Sequence, residues 1–565
     1  VTTTAVPTTT PPPAMPLPTA APDRDHAGER AGDHAGDQRG VQFGATRRGL
    51  RVAWLPSPGP VRARLAFRVG TADERLPERG LTHLVTHLAH RFTEVDLEGG
   101  GGRPSQVWHG PCASPLEVAF TAVGDEDDVR DRLVALCEGL ASLAEVLPEE
   151  VAHEAGRLDA EADLRPVSSW EALRTARHGL RGWGQLTTGE LAVPSADAAA
   201  LTRWVERWFT AANAVLAVSG PQPPAWVLPL LSGEAVPAPA PVVLPLQLPA
   251  RVEGPSGAVA VTALADDGAA ARAGWWWLHH LALEELRVRG LAAADVEVEV
   301  TAVGGGLVEL ALAVHAGADP AQDALHAVQD ATARACSEAL PLAELTRWAS
   351  DLPVPDPVAE LDDLARAWLL HGGVEPPAAA PRESLREQAR ALRPADVLTA
   401  LRSALGTGLL LVPHDVTAPA GLPLAVPAAP TASAALPGGT WVGARGGSAR
   451  LVVGEVGVQV HHEDGSTPTA RWETAVAVLH RGGGTRVVVD VTGAEVEVDP
   501  AVWVDGPAAV EVLDAHAPAG LVVPLPAGAA ALEEPARAGR RDRALASLRA
   551  LATVRVGRPR AGRGA

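Results

Sequence analysis

Apolar positions along the chain fall into two alternating regimes, and their order repeats. Residues 50–54 and 62–69 alternate or run apolar as strands do, joined through Pro56-Ser57-Pro58-Gly59-Pro60. From Gly80 to His90 the period changes: Leu81, Leu84, Val85 and Leu88 recur at three- and four-residue steps, which predicts an amphipathic helix. A glycine run, Gly99–Gly102, precedes a strand at 116–123. Helices follow at 125–143, 148–164, 168–180 and 196–210, the second opened by Pro148, a residue that suits a first helical turn. The strand 214–218 ends this block.

The order then returns. After a proline-rich stretch come a strand at 258–264, a helix at 271–289 and a hairpin, 296–302 with 307–314, around Gly304-Gly305-Gly306. Helices at 321–339, 342–349, 357–370 and 384–405 lead to a strand at 409–412. This predicts a duplicated α+β half. Beyond a second Ala/Pro stretch, residues 439–525 hold only short β-type runs separated by turns, as in a small all-β barrel or sandwich. The segments are a disordered tail (1–40), a first half (41–232), a Pro-rich linker (233–249), a second half (250–417), an Ala/Pro linker (418–437), a small β domain (438–527) and a basic helix with an Arg/Gly tail (528–565).

Composition narrows the function classes. A balance of 48 basic against 68 acidic residues gives −20, which argues against a general nucleic-acid binder. Lys and Ile are absent, pointing to a GC-rich bacterial genome. Cys112, Cys137 and Cys336 are scattered, so neither a disulfide frame nor a cysteine metal site is indicated, and a reducing cytoplasm fits. The first 40 residues lack the apolar segment of a signal peptide, and no apolar run approaches the roughly 20 residues that span a bilayer.

The chemistry centres on His83 and His87. Four residues apart on a helix, they share one face and can converge on one cation. A catalytic zinc site takes three protein ligands, and Glu161, on the helix opened by Pro148, is the candidate third. Glu154 lies two turns earlier on the same face, placed to orient a ligand. Taken alone, such a histidine pair is more often structural or a solvated edge. His90, His109 and His153 read as solvated positions, and His279-His280, after Trp275-Trp276-Trp277, as a packing surface between the halves. Gly99–Gly102 lacks a following Lys-Ser/Thr and is no phosphate loop, while Arg540-Arg541 reads as a solvated face.

Several segments together resemble the insulinase and mitochondrial-processing-peptidase family, the inverzincins. They are Leu50 to Trp54, Val69-Gly70-Thr71-Ala72-Asp73-Glu74, Arg79-Gly80-Leu81-Thr82-His83, the Glu154–Glu161 pair, and Trp208 to Gly220. Leu286-Arg287-Val288-Arg289-Gly290-Leu291-Ala292 resembles the family segment that carries a substrate-binding Arg, here Arg289. The resemblance spans roughly 41–417. It implies two halves closing as a clamshell over an extended peptide, with zinc held by His83, His87 and Glu161, and Glu154 as a helper carboxylate.

The departures from that pattern concern the chemistry. Thr86 stands where the family motif His-x-x-Glu-His keeps its general base, and a base contributes roughly 10²–10⁴-fold. Glu is common in this chain, so codon bias does not account for the loss. Ala293 stands where the family has a Tyr, and the strand near Ser105-Gln106-Val107-Trp108 lacks the usual Asn-Ala pair.

Three readings follow. One is a zinc-binding pseudopeptidase that binds a peptide or unfolded segment, or pairs with an active relative or with itself, as the resemblance implies. The second is an active zinc endopeptidase with a substitute base. The third is a scaffold whose histidines bind nothing. Arg471-Trp472-Glu473 before Ala475-Val476-Ala477-Val478 gives the β domain a faint resemblance to pleckstrin-homology-like modules, which bind proteins or lipids.

Overall fold

The computed structural model describes residues 40–94, 107–164, 169–187, 189–254, 257–317, 320–354, 356–372, 381–426, 435–444, 448–463 and 465–525. The N-terminal tail, Gly99–Gly102, Ser105-Gln106 and the Arg540-Arg541 helix lie outside these residues, as do the side chains of Trp108 and His109.

The first half contains β1 (Gln42–Ala45), β2 (Arg51–Pro56), β3 (Val61–Phe67), α1 (Leu81–Glu94), β4 (Val107–Ala113), β5 (Val118–Gly124), α2 (Glu126–Ser142), α3 (Pro148–Leu164), α4 (Ser169–His178), α5 (Ala198–Trp208) and β6 (Ala214–Gly220). Its strands form one sheet in the order β1-β2-β6-β3-β5-β4. The second half contains β7 (Ala250–Gly254), β8 (Ala258–Asp266), α6 (Ala269–Val288), β9 (Asp295–Gly304), β10 (Leu307–His315), α7 (Ala321–Ser337), α8 (Leu342–Asp351), α9 (Pro357–His371), α10 (Pro381–Ala391), α11 (Pro394–Gly406) and β11 (Leu409–Pro413). Its sheet runs β7-β11-β8-β10-β9. In each half a parallel pair, β2 with β6 or β7 with β11, is continued by three antiparallel pairings, so the two sheets share one topology. The first sheet adds β1 at its edge, and the single helix expected at 384–405 is broken ahead of Pro394 into α10 and α11.

Strands such as Ala214–Gly220, buried at every position, need apolar cover on both faces. One face of the first sheet packs on α1, α2 and α5 of its own half, through Leu65, Phe67, Leu84, Leu133 and Trp204 among others. The opposite face is covered by α9, which belongs to the second half. Leu361, Leu364, Trp368 and Leu369 of α9 meet Phe43, Leu55, Ala66 and Val215. Arg62 fixes the crossing through two bonds to Asp362, at 2.9 and 2.7 Å, and Arg51 donates to the Trp368 carbonyl at 2.6 Å. The exchange is reciprocal. Trp170 and Leu173 of α4, from the first half, pack on Ala260, Ala311, Leu409 and Leu411 of the second sheet. Arg174 of α4 donates to Glu309 at 2.5 Å, and Arg177 to the Thr407 and Thr262 carbonyls at 2.8 and 3.2 Å.

The C-terminal module holds β12 (Gly439–Val442), β13 (Arg450–Gly454), β14 (Gly457–His461) and β15 (Thr469–Arg471) in one antiparallel sheet. β16 (Ala475–His480), β17 (Arg486–Asp490) and β18 (Glu495–Val498) form a second, to which β19 (Val522–Pro524) adds parallel to β16. A helix absent from the strand-only reading, α12 (Gly506–His516), seats Ala509, Val510 and Leu513 in the core between the sheets. No described helix is long and apolar enough to cross a membrane.

Two outcomes test this packing. Trp368 is 2% exposed, and Trp368→Ala is expected to cost about 3–5 kcal/mol, read from the midpoint of urea unfolding. A shift below about 1 kcal/mol would show that α9 does not hold the sheet. At the end of α4, burial pushes the His178 imidazole down to about 4, with Arg177 and Arg174 acting the same way and the Val242 carbonyl opposing. An unfolded histidine titrates near 6.5, so the contribution is fully present above that pH. It falls as pH drops toward 4, by on the order of 2–4 kcal/mol in total. Urea midpoints of wild type and His178→Gln between about pH 7 and pH 4.5 should show a steeper decline in the wild type; parallel curves would contradict it.

Candidate metal centre

Helix α1 begins where the chain leaves Gly80 at φ +100°. The buried Glu74 carboxylate accepts from the Gly80 and Thr82 amides at 3.1 and 2.8 Å, and from Arg79 at 3.1 Å. An anion there satisfies free N–H groups and complements the helix dipole. Burial pushes the Glu74 carboxyl up, while Arg79 and these amides oppose that. Leu84, Val85 and Leu88 drive one face of α1 into the core, which turns His83 and His87 toward α3. On α3, Val151 and Leu158 are buried in the same core, and Glu154 and Glu161 present carboxylates two turns apart.

The Nε2 atoms of His83 and His87 lie 3.6 and 3.5 Å from Oε2 of Glu161. The imidazoles meet edge to face, with centroids 4.7 Å apart. One donor atom from each of the three residues falls within 4.8 Å of the others. Tetrahedral zinc with bonds near 2.05 Å separates its ligands by about 3.4 Å, so two of these separations are close to what the ion requires.

The remaining ring nitrogens are also engaged. Nδ1 of His83 lies 2.9 Å from Oε1 of Glu190, and Nδ1 of His87 lies 3.4 Å from Oε2 of Glu154. A proton on each Nδ1, donated to its carboxylate, leaves the Nε2 lone pairs for a metal. Glu154 itself is held by Arg157 at 3.2 Å and Arg91 at 3.7 Å. Burial, with His83 adding to it, depresses the His87 pKa against the pull of Glu161 and Glu154, and so favours the neutral, ligating form. Chemically, the donor set fits zinc.

At the base position, Thr86 is 1% exposed and its hydroxyl donates to the His83 carbonyl at 2.6 Å. The side chain turns back on its own helix. Among the described residues His83, His87 and Glu161 are the group able to hold a metal; His90 and His153 are not part of it. Arg289 ends α6, where its guanidinium pairs with Glu285 at 2.6 Å and also with Asp330. Instead of bridging the halves, His280 lies against Trp276, on its own helix, and Arg347 of α8, both in the second half, with 3.0 Å to Arg347. Sequence reading did not find Glu190. It stands 107 residues from His83 in a loop with no periodic pattern, and the one local hint is Gly80, whose missing side chain leaves it room.

No family model matches the sequence, and neither does any curated protein sequence. Comparison with solved structures does find matches. The M16 peptidase inactive domain from Pseudomonas fluorescens superposes with a TM-score of 0.55 at 16% identity, over 67% of this chain and 100% of that one. A protease from Helicobacter pylori gives 0.53 at 14%, over 66% and 99%. The first half of the periplasmic protease PqqL from Escherichia coli gives 0.50 at 15%, over 67% and 93%. About two thirds of the chain therefore has the insulinase-like fold of the M16 peptidases.

Proposed function

We propose that the chain binds one zinc ion through His83, His87 and Glu161 but does not turn over peptides at a useful rate, serving instead as a peptide-binding or non-catalytic partner of an active relative. One observation carries this reading: both imidazoles are oriented by carboxylates, while the base position holds a hydroxyl bonded to its own helix. Bound zinc would supply Lewis acidity toward a carbonyl. The protein's own groups supply little to go with it. Thr86 offers no carboxylate to receive a proton, and Glu154 is committed to His87, Arg91 and Arg157. Orientation of the ligands is retained and proton transfer is lost.

Arg289 would meet a peptide carbonyl only by leaving Glu285 and Asp330. A reducing compartment such as the cytoplasm suits Cys137 and Cys336, which are both free.

Metal analysis with peptide turnover on the full chain tests the reading. Wild type should carry up to one zinc and His83→Ala none. Turnover of an unstructured peptide should lie about 10²–10⁴-fold below that of a working metallopeptidase. Thr86→Glu should regain only part of that factor, since Ala293 leaves a second contact missing. Wild-type turnover at full rate that vanishes in His83→Ala would establish an active peptidase using another base.

A further inference from the structure

The loop that carries Glu190 is gripped from two sides. On one side is the start of α1. A side chain at Gly80 would place its Cβ 2.6 Å from the Glu190 Cβ and 2.7 Å from Val193 Cγ2, so glycine is what lets the loop lie against the helix N-terminus. The backbone ties the same segments together, with the Ala192 amide donating to the Arg79 carbonyl at 3.0 Å.

On the other side is the C-terminal module. The outer faces of β16, β17 and β19, including Val476, Leu479, Val487, Val489 and Val523, are buried against Leu76 and Leu180 of the first half. Leu191, next to Glu190, packs on that cluster. Leu76 belongs to the turn that leads into α1. The Leu180 amide donates to the Val491 carbonyl at 2.7 Å, and a Cβ at Gly179, where φ is +68°, would sit 2.3 Å from that oxygen. The approach thus has a bare backbone at its tightest point.

We propose that Glu190 is a positioning residue of the metal centre, orienting His83 through Nδ1, and that the C-terminal β module holds it in place. The proposal rests on His83, His87 and Glu161 binding a metal. It gives the module a role that its strand pattern does not suggest. The outer sheet face is a brace for the two segments that meet at His83. Carboxylates that orient ligating histidines typically contribute 10–100-fold to metal affinity, and the 2.9 Å contact from Glu190 is shorter than the 3.4 Å contact from Glu154 to His87. Of the two, His83 is the more exposed and so depends more on a partner to fix its ring.

Chelator competition with zinc and the visible absorption of the cobalt(II)-substituted full chain test this without any activity readout. Glu190→Gln should weaken zinc binding by about 10–100-fold and alter the cobalt spectrum, with the unfolding midpoint of the metal-free protein unchanged. Leu191→Ala, which loosens the loop from the module and leaves every ligand intact, should weaken binding by at least about threefold. Val358→Ala, at the edge of the α9 contact, serves as the control for mild destabilisation and should leave affinity as in wild type. Wild-type binding with Glu190→Gln within about twofold overturns the positioning role. A loss in Glu190→Gln with none in Leu191→Ala overturns the module's part. A wild type that binds no metal overturns the metal reading itself, and this proposal with it.

Discussion

The central strands of each sheet are buried on both faces, and the helices of the same half cover one of those faces. The second cover comes from the other half: α9 crosses to the first sheet and α4 to the second. This exchange makes the halves interdependent. Burial of Trp368 and Trp170 is gained only once both halves are formed. The polar groups at the two crossings, Arg62 with Asp362 and Arg174 with Glu309, fix where each helix lies along its sheet. Arg174 and Glu309 are largely withdrawn from water, so that pair is better understood as setting register than as adding stability.

The candidate metal site inherits its geometry from the same architecture. Helix α1 is fixed at its N-terminus by Glu74 and along its length by Leu84, Val85 and Leu88, which leaves its histidines little freedom. Helix α3 shares the core and brings Glu161 across. With Glu154 and Glu190 behind the imidazoles, both rings are fixed in the orientation a metal would require. Such pre-organisation lowers the ordering cost of binding. It says nothing for catalysis, which also needs a proton acceptor, and the Thr86 hydroxyl is spent on the backbone.

The C-terminal module is tied into the fold by an apolar face and not by a bare linker. Strands β16 and β17 read as continuous Val and Ala runs, because one face meets α12 and the first sheet of the module while the other meets Leu76, Leu180 and Leu191. A strand exposed on one side would alternate. The β18 pattern, exposed at both glutamates and buried at both valines, shows that alternation beside them.

Local pattern alone settled a good deal. The change from a two-residue to a 3.6-residue period placed the two α+β halves, because side-chain direction follows backbone geometry without reference to distant contacts. Four-residue spacing put His83 and His87 on one face for the same reason, and the seven-residue spacing did so for Glu154 and Glu161. Some elements escaped: β1 and β7 have too few residues to show a period, and in the 11-residue α12 the run Val510-Glu511-Val512 alternates as a strand does. Tertiary structure alone decided which helix covers which sheet, where the Thr86 hydroxyl points, how Arg289 is engaged and that Glu190 reaches His83. Each of those depends on segments meeting across tens to hundreds of residues, and an apolar stripe specifies that a face must be buried but not what buries it.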